Sequence, residues 1–236
     1  MNKNVNKGLA ELIGTFALTF IGGAAIINGE AGLVGVAIAH GLTVAVMVSA
    51  IGHISGGHIN PAATVGFMAT GKMSLKEGGT YIVFQLVGAT LAALCLKSFV
   101  PGASDAALGG QSMAVGVTFG SGVAIEIILT FFLVFTVFAT AVDERGAFKA
   151  IAGFGIGLVV AFDILAGGPV TGASMNPARS FGPALVAGQW DNHLVYWLGP
   201  LIGGAGAAII YNGLFLKGGK ADSSHPAKTR NEGAEY

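Results

Sequence analysis

Six stretches of this chain, residues 9–27, 33–51, 79–96, 122–142, 150–166 and 194–216, are predominantly apolar over lengths that suit a membrane. A hydrocarbon core of about 30 Å takes roughly 20 helical residues, so each stretch is expected to cross a bilayer as a helix. Composition agrees, with 53% of residues hydrophobic, 10% charged and a mean hydropathy of +0.73. The polar and apolar alternation of a membrane β-barrel is absent. The first stretch carries Glu11 and lacks a basic start with a small-residue cleavage site, so it reads as a retained span. The expected fold class is an all-α, multi-pass membrane protein.

Basic residues collect in cytoplasmic loops, and ten of the twelve fall on one side of these spans. Lys3 and Lys7 precede the first span, Lys72 and Lys76 follow the second, and Arg145 and Lys149 follow the fourth, while Lys217, Lys220, Lys228 and Arg230 follow the sixth. Only Lys97 and Arg179 lie elsewhere. Both termini are therefore expected to be cytoplasmic, in a plasma or inner cell membrane. The formal net charge is +0, and no basic surface argues for nucleic acid. The polar tail 218–236 is expected to be disordered. The single cysteine, Cys95, excludes an intramolecular disulfide and reads as a small buried apolar residue.

The chain repeats itself. "ELIGTFAL" around Glu11 returns as "EIILTFFL" around Glu126, and "YIVFQLVGATLAA" from Tyr81 returns as "YWLGPLIGGAGAA" from Tyr196, both at an offset of 115 residues. Each copy, about 8–100 and 120–217, holds three spans, and an odd number inverts the second copy in the membrane. Each copy also holds one Asn-Pro-Ala triplet, in "GHINPAATVG" and "GASMNPARSFG". After each triplet the sequence stays helix-friendly only to about Thr70 or Ala187. Eleven residues rise roughly 16 Å, half the core. Two half-helices from opposite faces would meet near the middle as a broken seventh span. Pro61 and Pro177 suit a first helical turn, and Asn60 and Asn176 suit the cap before it.

The glycine-rich approaches to these triplets must be non-helical at membrane depth, which is tolerated where backbone lines a water-filled cavity. A pore is implied. Backbone at Gly56, Gly57, His58, Gly172, Ala173 and Ser174 offers carbonyls to a permeant, and the two asparagine amides donate to it. Both half-helix dipoles point positive ends at the same spot and repel cations, which favours a small neutral hydrogen-bonding solute.

The duplicated triplets, the repeated glutamates and Arg179 three residues after Asn176 resemble the aquaporin family over about residues 8–216. The resemblance implies six transmembrane helices, two re-entrant half-helices and a homotetramer with one pore per subunit. It also implies a channel domain over 8–217, flanked by a cytoplasmic N-terminus 1–7 and the tail. Glycerol facilitators carry Asp after that Arg and another Arg four residues on, where this chain has Ser180 and Ala184. Tyr196 and Trp197 likewise match the water-channel pattern.

By the same resemblance the narrowest ring falls on His40, Ile164, Ala173 and Arg179, with His40 facing Arg179 across the passage. A strict water channel carries Phe and His at the first two positions. The set found here resembles the ammonia-permeable, tonoplast-type channels. Some of those add a His from the loop between spans three and four, and residues 100–118 have none. The implied permeants are water, ammonia, hydrogen peroxide and other small uncharged solutes, with protons and ions excluded.

Glu11 and Glu126 are read as anchors that accept hydrogen bonds from the re-entrant loops, and Asp163 as making a structural hydrogen bond. The His58 ring is expected to face away from the pore, and His193 and His225 to lie at the surface. The pairs Gly153/Gly157 and Gly199/Gly203 would let helices pack closely. A strict water channel, a glycerol facilitator and a proton-coupled transporter using Glu11, Glu126 and Asp163 are the alternatives. No Ser/His pair, HExxH motif or metal cluster stands out, so neither enzyme activity, cofactor nor metal is expected.

Overall fold

The computed structural model describes residues 3–145 and 151–216. Six helices in it are long and apolar enough to cross a membrane. They are built on α1 (Lys3–Asn28), α2 (Gly32–Ser55), α4 (Leu75–Phe99), α5 (Phe119–Val137), α6 (Ala152–Thr171) and α8 (Val195–Ile210), the spans of α5 and α8 continuing to Val142 and Leu216. The two short helices, α3 (Pro61–Ala69) and α7 (Pro177–Ala187), follow the Asn-Pro-Ala triplets. Among the described residues there is no strand. Lys149, Lys217, Lys220, Lys228, Arg230, His225 and the tail lie outside the described residues.

Helix ends differ from expectation where local chemistry extends them. α4 begins before residue 79 because Ser74 caps it, its hydroxyl accepting from Glu77 N at 3.2 Å. α6 runs past residue 166, through Gly167, Gly168 and Pro169, to Thr171. That last turn is held from outside, by Thr171 Oγ1 donating to Glu126 at 2.7 Å and Tyr196 OH donating to Thr171 O at 2.8 Å. α5 and α8 each finish in a π-helical turn, Phe138–Val142 and Tyr211–Leu216, which no residue pattern announces.

Two glycine pairs carry the helix crossings. A Cβ at Gly157 would lie 2.3 Å from Gly41 O, so α6 touches α2 backbone to backbone, and a Cβ at Gly203 would lie 2.3 Å from Ile127 O where α8 meets α5. Within each repeat α1 packs on α2 and α4, and α5 on α6 and α8. The half-helices cross over: α3 packs on α8 of the other repeat, and α7 on α4. This exchange brings the two triplets together at the centre of the bundle.

Candidate functional site

α2 ends at Gly56 and α6 at Gly172, both left-handed with φ of 92° and 79°. The backbone then runs unpaired to the asparagines, and buried N–H groups at this depth need partners. Two glutamates supply them. Glu11 accepts from Ser55 Oγ at 2.7 Å, His58 N at 2.9 Å, Ile59 N at 2.5 Å and Gln85 Nε2 at 2.8 Å. Glu126 accepts from Thr171 Oγ1 at 2.7 Å, Ser174 N at 2.9 Å and Met175 N at 2.8 Å. Both carboxylates are fully buried.

The residues before the asparagines, Ile59 and Met175, have φ of 44° and 54°. A β-branched residue there costs about 1–3 kcal/mol, which the glutamate bonds offset. This turn aims each preceding carbonyl at the opposite loop. Asn60 Nδ2 donates to Met175 O and Asn176 Nδ2 to Ile59 O, each at 2.8 Å. One hydrogen of each amide is thus used in joining the loops, leaving the second for a permeant. The side-chain oxygens cap the half-helices, Asn60 Oδ1 accepting from Ala62 N at 2.8 Å and Asn176 Oδ1 from Ala178 N at 3.1 Å.

A second clamp recurs in both halves, between the residue two before each asparagine and the residue four after it. His58 Nδ1 lies 3.1 Å from Thr64 Oγ1, and Ser174 Oγ lies 2.5 Å from Ser180 Oγ. The His58 ring also stacks on Phe67 at 4.3 Å between centroids. His193 is not a bare surface residue: its Nε2 accepts from Trp197 Nε1 at 3.1 Å, and burial lowers its pKa from the ordinary value.

His40, Ile164, Ala173 and Arg179 all line one cavity with Asn60 and Asn176. His40 Nδ1 lies 2.8 Å from Val36 O, a pure acceptor, so Nδ1 carries the hydrogen and Nε2 accepts. Nε2 takes Arg179 Nε and Nη2, each at 3.3 Å. The expectation that these residues face one another across the passage is corrected here. They touch, forming one polar surface of the cavity that Ile164 also lines. Gly22 on α1 makes room for this ring, since a Cβ there would lie 2.2 Å from His40 Nε2.

Sequence reasoning missed the loop 100–118. Gly109 O accepts from Arg179 Nη2 at 2.8 Å, and Gln111 Oε1 accepts from Ser180 Oγ at 2.9 Å and Arg179 Nη1 at 3.4 Å. The loop holds this position through Leu108, left-handed at φ 56° and 1% exposed. Two consecutive non-glycine residues with positive φ, Ala107 and Leu108, could not be read from composition.

Asp163 is a further correction. Its Oδ2 is buried with no hydrogen-bond partner, not held in the structural bond expected of it. Asp163 is 1% exposed on α6 and is not among the residues that line the cavity, and nothing in the structure explains its burial. Cys95 is half-buried on α4, away from the cavity lining. Among the described residues no group of three or more His, Cys, Asp or Glu is arranged to hold a metal.

The cavity lining is therefore mixed. Asn60, Asn176, His40 and Arg179 bring polar groups to its lining, and Val44, Val48, Leu133, Val160 and Ile164 bring apolar ones. The positive ends of α3 and α7, capped by Asn60 and Asn176, both reach this cavity.

Comparison with known proteins gives consistent results. Residues 1–211 match the family described as major intrinsic protein. The chain is 50% identical over 228 residues to aquaporin TIP4-4 of Zea mays, covering 91% of this chain and 88% of that one. It is 45% identical over 219 residues to aquaporin TIP2-1 of Arabidopsis thaliana, covering 88% and 86%. The structure superposes on the aquaglyceroporin from Plasmodium falciparum with a TM-score of 0.85 at 21% identity, over 92% of this chain and 99% of that one. That likeness bears on the fold alone.

Proposed function

The chain belongs to the major intrinsic protein family, and from that premise we propose a passive channel for water and small uncharged solutes, ammonia and hydrogen peroxide included, that excludes protons and metal ions. The observation that carries this reading is the cavity that both asparagines and Arg179 line together with apolar side chains. A permeant entering it exchanges part of its hydration shell for fixed carbonyls and amide donors, while the apolar side chains of the lining hold nothing tightly enough to stop it leaving. Arg179 and the two helix ends impose positive potential along that path, so a cation loses hydration and meets repulsion together.

The solute range rests on the constriction. Ile164 and Ala173 add apolar and small side chains to the lining that the His40 and Arg179 pair shares, which suits ammonia as well as water. The double substitution His40→Phe with Ile164→His rebuilds a strict water filter. Its expected effect is an ammonia flux lower by about tenfold, the scale on which a pocket discriminates one small group, with much less change in osmotic water flux. An equal fall in both fluxes, or no ammonia flux above the lipid background in the unaltered protein, would leave a plain water channel.

The glutamates speak against the proton-coupled alternative. Glu11 and Glu126 are occupied by loop N–H groups and hydroxyls, which suits anchors more than carriers that must exchange protons with solvent. Ser180 bonded to Gln111 supports the water-type pattern over a glycerol facilitator. The proposal includes a homotetramer with one pore per subunit, supported by the family alone. It also includes both termini in the cytoplasm, supported by the basic residues. The sequence suggests a plasma or inner membrane and the TIP-type relatives suggest the tonoplast; fractionation of expressing cells decides between them.

A further inference from the structure

We propose that Asp143, Arg145 and Tyr211 are positioning residues that set the width of the pore mouth beyond His58, on the side expected to be cytoplasmic. This rests on the channel reading above. The starting observation is the pair of π-helical turns, Phe138–Val142 at the end of α5 and Tyr211–Leu216 at the end of α8, which touch one another. Asp143 N donates to Phe138 O at 2.9 Å, five residues back, so one extra residue is inserted in the last turn of α5. Such insertions weaken a helix and persist where something holds them.

The holding group is an ion pair with two further ties. Arg145 Nε donates to Asp143 Oδ1 at 2.9 Å and Nη2 to Oδ2 at 2.7 Å, a two-point contact with fixed geometry. Arg145 Nη2 also donates to Phe215 O at 2.6 Å, and Tyr211 OH donates to Asp143 Oδ2 at 3.0 Å. Arg145 therefore joins both π-helical turns through one guanidinium. Asp143 is 5% exposed, and its hydrogen bond with Arg145 holds its carboxyl well below the usual carboxylate range. The clasp stays charged at any physiological pH.

From the clasp, packed rings lead to the pore. Phe138 is fully buried, 6.3 Å from the Tyr211 ring and 5.1 Å from Phe67. Phe67 lines the cavity with Val137 and Ala141, and stacks on His58. Removing the inserted residue from the last turn of α5 would rotate its side chains by about 100°. Thr140 would then turn towards the place Ala141 occupies. A larger, β-branched residue at the wall narrows the mouth.

The test compares Arg145→Ala and Tyr211→Phe with the unaltered protein in liposomes, measuring water and urea permeability per channel and the melting temperature in detergent. Tyr211→Phe keeps the ring and removes only the tie to Asp143. The expected result is water permeability lower by about two- to threefold in both variants, the lower end of what packed networks transmit, and a larger fall for urea. Wild-type values in both variants would overturn the proposal, and so would equal falls for water and urea, which mark fewer folded channels and not a narrower one. If Arg145→Ala yields no folded protein, Tyr211→Phe decides by the same criteria. If the unaltered protein passes no more water than lipid alone, the channel reading fails and the clasp falls with it.

Discussion

Liposomes carrying Arg179→Val are expected to leak cations that the unaltered protein holds back. Arg179 is 1% exposed and fixed by Gly109 O, Gln111 and His40 Nε2, so its charge cannot swing out of the constriction. At 4 Å and an effective dielectric of about 20, one such charge opposes a monovalent cation by roughly 4 kcal/mol. Removing it lowers the barrier by up to that amount, on the order of a thousandfold in rate. The dipole ends of α3 and α7 remain and oppose cations by less, so the leak is expected to grow by tens- to hundreds-fold. Valine also vacates volume beside Ala173, and glycerol permeation rises in the same variant. A potassium and pH dye assay on matched liposomes measures the leak; an unchanged leak would show that the helix ends alone exclude ions.

The substitution Glu126→Ala is expected to abolish permeation by dismantling the second loop. It strands Ser174 N, Met175 N and the Thr171 hydroxyl in the protein interior, at about 1–3 kcal/mol each. The strained Met175 backbone, at φ 54°, loses the bond that holds it. Water permeability per protein falls by about tenfold or more, with a clear drop in melting temperature, because a loss of several kcal/mol is a large part of typical stability. Glu126→Gln separates anchor from carrier. Its amide keeps an acceptor but turns an N–H₂ towards loop donors, so an anchor predicts lost stability, and a proton carrier predicts full stability with flux no longer driven by a pH gradient.

The fold was readable because its cues are local and repeated. Apolar length marked the spans, and Pro61 and Pro177 after capping asparagines marked the half-helix starts at the residues where they occur. The internal offset pointed to an inverted pair, which the reciprocal bonds of Asn60 and Asn176 express in the loops. What could not be read depends on tertiary holding. Ile59 disfavours a positive φ, and only Glu11, far away in sequence, makes that conformation tenable. Gln111 looks like an ordinary loop residue until Ser180 and Arg179 are brought to it. The π-helical turns depend on Arg145, and Asp163 resembles any buried polar residue until its partner is found missing. The filter positions of His40 and Ile164 follow from family resemblance; His40 carries one further signal, an ionisable residue inside a span, and Ile164 carries none.

The most direct test of the central claim is a paired measurement on the purified, unaltered chain in liposomes. Osmotic shrinkage is followed by light scattering, and proton movement by an internal pH dye under an imposed membrane potential. The account predicts shrinkage far above the lipid rate, weakly dependent on temperature, and no proton movement beyond that of empty liposomes. Shrinkage at the lipid rate, or solute uptake that follows the pH gradient and vanishes without it, would contradict a passive channel for neutral solutes.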